Sequence, residues 1–211
     1  RAGELKIAER GGSFTADVLE IFKRVGHMAS EQSEGITHRL TKDGVEIIRG
    51  RGVISPEVGK NGRRIITVGE RRFEADAVIV ATGARPRKLP SAMPDGERIL
   101  TWKQIYKIKE VPEHLIVVGS GVTGAEFASA FNSVGVKVTL VSSRDRVLPG
   151  NDPDAAELIE RVFEQNGVNI CANSRAEAAR VEGDRVIVTL GDGREIEGSH
   201  VLMAVGAIPN T

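Results

Sequence analysis

The chain has 211 residues, enough for one or two domains with a real hydrophobic core. Its 29 Lys and Arg balance 29 Asp and Glu, so no global field draws in nucleic acid or anionic lipid, and no nucleic-acid partner is expected. No apolar run approaches the ~20 residues of a membrane span. The opening Arg1-Ala2-Gly3-Glu4-Leu5-Lys6 has neither the apolar core of a secretion signal nor an initiator Met, so the chain is expected to start inside something longer. A single cysteine, Cys171, excludes an internal disulfide and fits a reducing cytoplasm. Following Val168-Asn169-Ile170, it reads as a buried small side chain on a strand.

Phe14, Val18, Ile21, Phe22, Val25, Ala29, Ile36 and Leu40 recur at helical spacing and predict one apolar helix face, broken near Gly26 or Gly35. Short strands are predicted at residues 45–49 and 52–55. A hairpin is predicted from residues 65–68 and 72–74 around Gly69-Glu70-Arg71. The continuous apolar run Ala77-Val78-Ile79-Val80-Ala81 predicts a strand covered on both faces, ended by Thr82-Gly83. Residues 85–96, with three prolines, read as a linker, and residues 102–108 as a short helix.

A strand at 114–118, a glycine-rich turn at 119–124, a helix to 134 and a strand at 137–141 follow. Asp152-Pro153-Asp154 then opens a helix with an N-cap acid and a first-position proline, and Gly167 ends it. Strand, helix, strand, helix, strand predicts a parallel sheet with right-handed crossovers. Residues 179–182, 186–190 and 194–197 predict an antiparallel meander, and 201–205 a final buried strand.

The chain repeats itself. ITVGERRFEADAVIVATGARP (66–86) resembles VTLGDGREIEGSHVLMAVGAIP (188–209); Gly69 matches Gly191, Gly83 matches Gly206 and Pro86 matches Pro209, at offsets of 122, 123 and 123 residues. Two copies of one dinucleotide-binding architecture would explain this, and so would chance likeness of two hairpin-plus-strand units. Under the first explanation, the earlier copy's glycine turn falls before Arg1, and an N-terminal βαβ half is missing. The expected fold class is α/β: a Rossmann-type parallel sheet with an antiparallel three-stranded meander, its first domain incomplete. The expected division is an incomplete first dinucleotide-binding domain at 1–96 and a second dinucleotide-binding domain at 97–211.

Gly119-Ser120-Gly121-Val122-Thr123-Gly124 is G-x-G-x-x-G between a strand and a helix. Gly119 permits the tight turn, Gly121 lets backbone approach a pyrophosphate, and Gly124 lets helix and strand pack. Amides of Val122, Thr123 and Gly124 would point at the anion. An acid at the end of the next strand would select NAD; here stand Ser142, Ser143, Arg144, Asp145 and Arg146. Hydroxyls and a guanidinium suit a 2′-phosphate, which favours NADP(H) or use of both cofactors; solvated surface charges are the other explanation of Arg144 and Arg146. Glu126 is either a first-turn acid answering the helix dipole or a group facing the nicotinamide end. His27, His38, His114 and His200 have no partner at catalytic or metal spacing, so no catalytic residue and no metal site is expected.

The motifs Ala81-Thr82-Gly83, VVGSGVTGAEFAS (117–129), Arg146-Val147-Leu148-Pro149 and VGAIPNT (205–211) make the chain resemble the pyridine nucleotide–disulfide oxidoreductases, flavoproteins with two dinucleotide-binding domains. Within them, ILTWKQIY (99–106) and GSGVTGAEF (119–127) resemble the branch of NAD(P)H:quinone reductases. The resemblance covers the whole chain but only the middle of the family's length.

It implies that Gly52, Ala81, Thr82 and Gly83 touch FAD, and that Gly119, Gly121, Val122, Thr123 and Gly124 cradle the NAD(P) pyrophosphate. It further implies that Glu126 approaches the nicotinamide carboxamide and that Gly206 lines the nicotinamide pocket. The implied activity is hydride transfer from NAD(P)H to flavin and then two electrons to a quinone; a dihydrolipoamide dehydrogenase-type disulfide reductase is the alternative. A non-catalytic NAD(P)-binding module is the rival of another class. Two departures stand out: Val122 replaces a gating Tyr, and Ser142 replaces the ribose-binding acid. The family's FAD glycine motif, its C-x-x-x-x-C pair and its dimerisation domain fall outside the chain, and a homodimer is implied only through that last domain.

Overall fold

The computed structural model describes residues 7–10 and 13–210. They divide into two compact units, one built from residues up to Gly26 together with Ala84–Asn210, the other from His27–Gly83.

In the first unit, β1 (Ile7–Arg10) and β2 (Ser13–Ala16) pair antiparallel. Helix α1 (Val18–Lys42) begins here and ends in the second unit. It runs unbroken through Gly26 and Gly35, because one interior glycine costs only about 1 kcal/mol relative to Ala. Phe14, expected on this helix, lies on β2 instead. Val18 is buried, and Phe22 packs edge-on against Tyr106 and Phe131, with centroids 5.5 and 5.7 Å apart. Val25, Met28, Ile36 and Leu40 of the same stripe are exposed, so the predicted face is buried only at its start.

The second unit holds a three-stranded antiparallel sheet of β3 (Gly52–Val58), β4 (Arg64–Val68) and β5 (Arg71–Ala75), in that order. The predicted hairpin is β4–β5, with Val68 opposite Arg71 across Gly69 at φ 58°. Residues 45–49 form no strand. The amide of Val45 is spent closing α1, donating to Leu40 O at 2.9 Å while Gly44 turns at φ 82°. The apolar run 77–81 also departs from expectation: it has no regular secondary structure, pairs with no strand among the described residues, and is exposed, with Ile79 at 91%. A strand meant to be covered on both faces forms only where neighbours supply ladder hydrogen bonds and apolar cover.

The first unit is built around one five-stranded sheet. Strands β7 (Ile99–Thr101), β8 (His114–Val118), β9 (Lys137–Val141), β10 (Asn169–Cys171) and β14 (His200–Met203) lie in the order β10-β9-β8-β14-β7, all parallel. Helix α2 (Val122–Ser133) connects β8 to β9, and α3 (Pro153–Gln165) connects β9 to β10. The meander β11 (Ala176–Glu182), β12 (Arg185–Leu190) and β13 (Glu195–Gly198) follows. The fold is therefore α/β, a parallel sheet carrying an antiparallel meander.

Alternation along β8 sorts the core. Leu115 and Val117 join Phe131, Val138, Leu140 and Phe163 on the helix side; Ile116 and Val118 join Val186, Val188, Val201 and Met203 on the meander side. Asp152 caps α3 as predicted, accepting from the amides of Asp154 and Ala155 at 3.0 and 3.2 Å. The predicted helix at 102–108 shrinks to a single 3-10 turn at Ile105–Lys107. The predicted linker is ordered: Asp95 Oδ1 accepts from the amides of Glu97, Arg98 and Ile99. It also contributes β6 (Ala84–Pro86), which pairs antiparallel with β15 (Ala207–Pro209). The two ends of the sequence repeat thus hydrogen-bond to each other, Pro86 opposite Ala207 and Ala84 opposite Pro209.

Candidate functional site

From β8 the chain runs outward through β9 to β10, whereas β14 lies on the opposite side of β8. The order reverses between β8 and β14, and in open α/β sheets ligands bind beyond the strand C-termini at such a point. The turn 119–124 sits there. Gly119, at φ 109°, donates its amide to Val141 O at 2.9 Å, and Ala204 donates to Val118 O at 2.8 Å.

The three glycines divide two to one. A Cβ on Gly119 would overlap the backbone oxygen of Ala204, and a Cβ on Gly124 would overlap the carbonyl oxygen of Gly119. Around Gly121 nothing lies within 4 Å of an added Cβ. Two glycines are therefore required by packing, while the middle one faces open space. Gly121 is also the N-cap of α2, and no side chain caps the helix. The first-turn amides, around the exposed Val122 and Thr123, are left for an anion, which the helix dipole also favours.

Helix α2 starts at Val122 and has no acid in its first turn, so Glu126 belongs to the second turn and is not a first-turn acid. Its exposed side chain borders an apolar groove of about 760 Å³ between α2 and α3, lined by Val122, Ala125, Leu148, Ile159 and Val162.

Beyond β9, Ser143 and Arg144 are exposed, and the charge of Arg144 acts on the neighbouring Asp145 carboxyl. Arg146 is engaged with Asp145 at 3.2 Å, and that guanidinium holds the Asp145 carboxyl below its ordinary range. Ser142 is fully buried, and its hydroxyl lies 2.7 Å from Ser120 Oγ and accepts from the Arg144 amide at 3.1 Å, so within this chain its partners are internal. Sequence reading missed Ser120 altogether; the signal was a hydroxyl residue at the variable position between the first two glycines.

Gly206, at φ 96°, is exposed after β14, and its oxygen accepts the Arg87 amide at 3.0 Å. In the second unit Gly52 starts β3 opposite Val68, and Ala81, Thr82 and Gly83 are exposed at the end of the apolar run. No group of three His, Cys, Asp or Glu among the described residues could hold a metal. No described helix is long and apolar enough to cross a membrane.

A glycine turn between strand and helix at the reversal point of a parallel sheet defines a dinucleotide-binding α/β protein. The chain belongs to the pyridine nucleotide-disulphide oxidoreductase family, whose pattern matches residues 5–211. It is 50% identical over 197 residues to an NAD(P)H dehydrogenase (quinone) of Mycobacterium tuberculosis, covering 91% of this chain and 40% of that protein. It is 35% identical over 196 residues to a dihydrolipoyl dehydrogenase of Chlorobaculum parvum, covering 90% and 41%. Among solved structures, LpdA from M. tuberculosis superposes with a TM-score of 0.84 at 49% identity, over 92% of this chain and 43% of that one. The chain thus spans about two fifths of the length of these relatives.

Proposed function

We propose that this chain carries the nicotinamide-nucleotide site, and part of the flavin site, of an FAD-dependent NAD(P)H:quinone oxidoreductase. One observation carries the reading: β8 feeds a turn whose outer glycines are needed by packing, whose middle glycine faces open space, and whose helix start no side chain caps. That cradle fits a pyrophosphate. The likeness to an NAD(P)H dehydrogenase (quinone) supports the choice of acceptor.

In this reading residues 97–211 form the NAD(P) domain and residues 1–96 the partial FAD domain. Gly119, Gly121, Val122, Thr123 and Gly124 hold the pyrophosphate through backbone amides. Ser143 and Arg144 answer a 2′-phosphate. Glu126, one turn along α2, faces the nicotinamide carboxamide, and Gly206 leaves room beside it. Gly52, Ala81, Thr82 and Gly83 offer backbone to FAD, a role supported by family membership alone. When bound, the cofactors supply the redox chemistry, a hydride from NAD(P)H and two electrons onward to the quinone; the protein supplies position and electrostatics.

The test is the visible absorption spectrum of the purified full-length protein, followed by NADPH oxidation with a quinone. Flavin bands and quinone-dependent turnover are expected. Turnover with a lipoyl disulfide instead moves the protein to the disulfide reductases. Nucleotide uptake without flavin makes it a non-catalytic binding module, and no nucleotide uptake removes the reading.

A further inference from the structure

The loop that follows β9 is held from inside. Ser142 donates its amide to Cys171 O at 2.9 Å and accepts the Ser174 amide at 2.7 Å, which fixes its backbone against β10. Its hydroxyl accepts from the Arg144 amide and lies within 3.1 and 3.2 Å of the carbonyl oxygens of Arg144 and Arg146. Ser120 Oγ, in the glycine turn, lies 2.7 Å from it and 3.3 Å from Arg146 O. The Leu148 amide returns to Ser120 O at 2.8 Å, and the Asn173 amide to Arg144 O at 2.8 Å.

Two hydroxyls therefore join the pyrophosphate turn to the segment 142–148 while leaving the Ser143 and Arg144 side chains outside. One hydroxyl donates across the 2.7 Å contact to the other, whose own proton has a carbonyl oxygen of Arg144 or Arg146 to meet. A carboxylate pointing inward at position 142 would face those same oxygens with no proton to offer and a buried charge. The site is built for a hydroxyl.

We propose that Ser142 is a positioning residue for nucleotide selection. With Ser120 it clasps the ribose-side loop to the pyrophosphate turn and fixes the Arg144 backbone, so that the Arg144 guanidinium is held ready for a 2′-phosphate. This rests on the nicotinamide-nucleotide reading above.

The experiment uses the full-length protein with Ser142→Ala, Ser120→Ala, Arg144→Ala and the Ser142→Ala/Arg144→Ala pair. NADPH and NADH dissociation constants come from calorimetry, and amide hydrogen exchange is read at Arg144. Losing one neutral hydrogen bond predicts that Ser142→Ala lowers the preference for NADPH over NADH about three- to tenfold. Arg144 exchange accelerates, and in the Arg144→Ala background Ser142→Ala changes the preference no further. Ser120→Ala shifts the preference in the same direction, and it carries the test where Ser142→Ala does not fold. A lower melting temperature with an unchanged NADPH:NADH ratio overturns the clasp, as does independent addition of the Ser142 and Arg144 effects. Failure of the wild type to bind either nucleotide overturns instead the reading beneath it.

Discussion

A Cβ added to Gly124 would overlap the carbonyl oxygen of Gly119, so the two ends of the turn touch through bare backbone. Gly124→Ala must push α2 away from β8, at a cost of about 1–3 kcal/mol for overpacking. Gly121→Ala meets nothing within 4 Å and costs only the roughly 0.5–1 kcal/mol by which Ala is the poorer N-cap, yet it places a methyl where the pyrophosphate is to lie. Thermal unfolding with nucleotide titration checks both. A loss of nucleotide affinity out of proportion to the loss of stability is expected of Gly121→Ala alone, and a Gly121→Ala protein that binds as the parent does removes Gly121 from the cradle.

Arg144 is an exposed cation on the segment that follows β9. Arg144→Ala is expected to raise the KM for NADPH about ten- to a hundredfold, the worth of a charge-assisted contact. The KM for NADH should change little. Steady-state kinetics with both nucleotides decide, and equal effects on the two contradict the assignment.

Two histidines make stability depend on pH. His200 is 2% exposed; burial first, then the neighbouring Arg98, lowers its pKa below the ordinary 6.5, while Glu110 and Asp95 oppose the shift. His114, half-buried with Nε2 at 2.8 Å from Thr139 Oγ1, is lowered by burial and by Lys137. A histidine depressed in the folded state binds its proton more readily when unfolded. Its contribution is therefore present above the unfolded value and is lost as pH falls from about 6.5 towards the folded value. Urea unfolding at about pH 7.5 and about pH 5.5 should show lower stability at the acid end, and His200→Gln should reduce that difference. A difference unchanged by His200→Gln clears this residue of the effect.

Asp152 accepts two amides at the start of α3. Asp152→Ala should cost about 1 kcal/mol, and Asp152→Asn much less, since an amide oxygen also caps. Chemical denaturation of the two variants measures the cap directly. Equal losses would place the effect in charge rather than in the hydrogen bonds.

Much of the sheet unit was legible along the chain. Strand β8, the turn, α2, β9 and α3 with its Asp152 cap fall within a residue or two of their sequence signals, because glycine, proline and capping residues act through contacts a few positions away. The candidate cradle was legible for the same reason: Gly119, Gly121 and Gly124 lie within six residues of each other. The inward turn of Ser142 was not legible, because side-chain direction depends on partners elsewhere, here Ser120 and the carbonyl oxygens of Arg144 and Arg146. The stripe on α1 was read as one buried face, but periodicity records which residues share a face and not whether anything covers it.

The repeat makes the division plain. Ala77–Ala81 and Val201–Val205 carry the same apolar pattern, and composition alone assigns both to buried strands. Within this chain, β14 finds β7 and β8 on its two edges and buries Val201, Leu202 and Met203, while Ile79 stands in solvent. The sequence by itself determined the propensity to be a strand, the glycine turn and the family. Within this chain, tertiary contacts decided which apolar run pairs as a strand and which way Ser142 faces, because a strand's hydrogen bonds and the Ser120 hydroxyl come from residues that only the fold brings alongside.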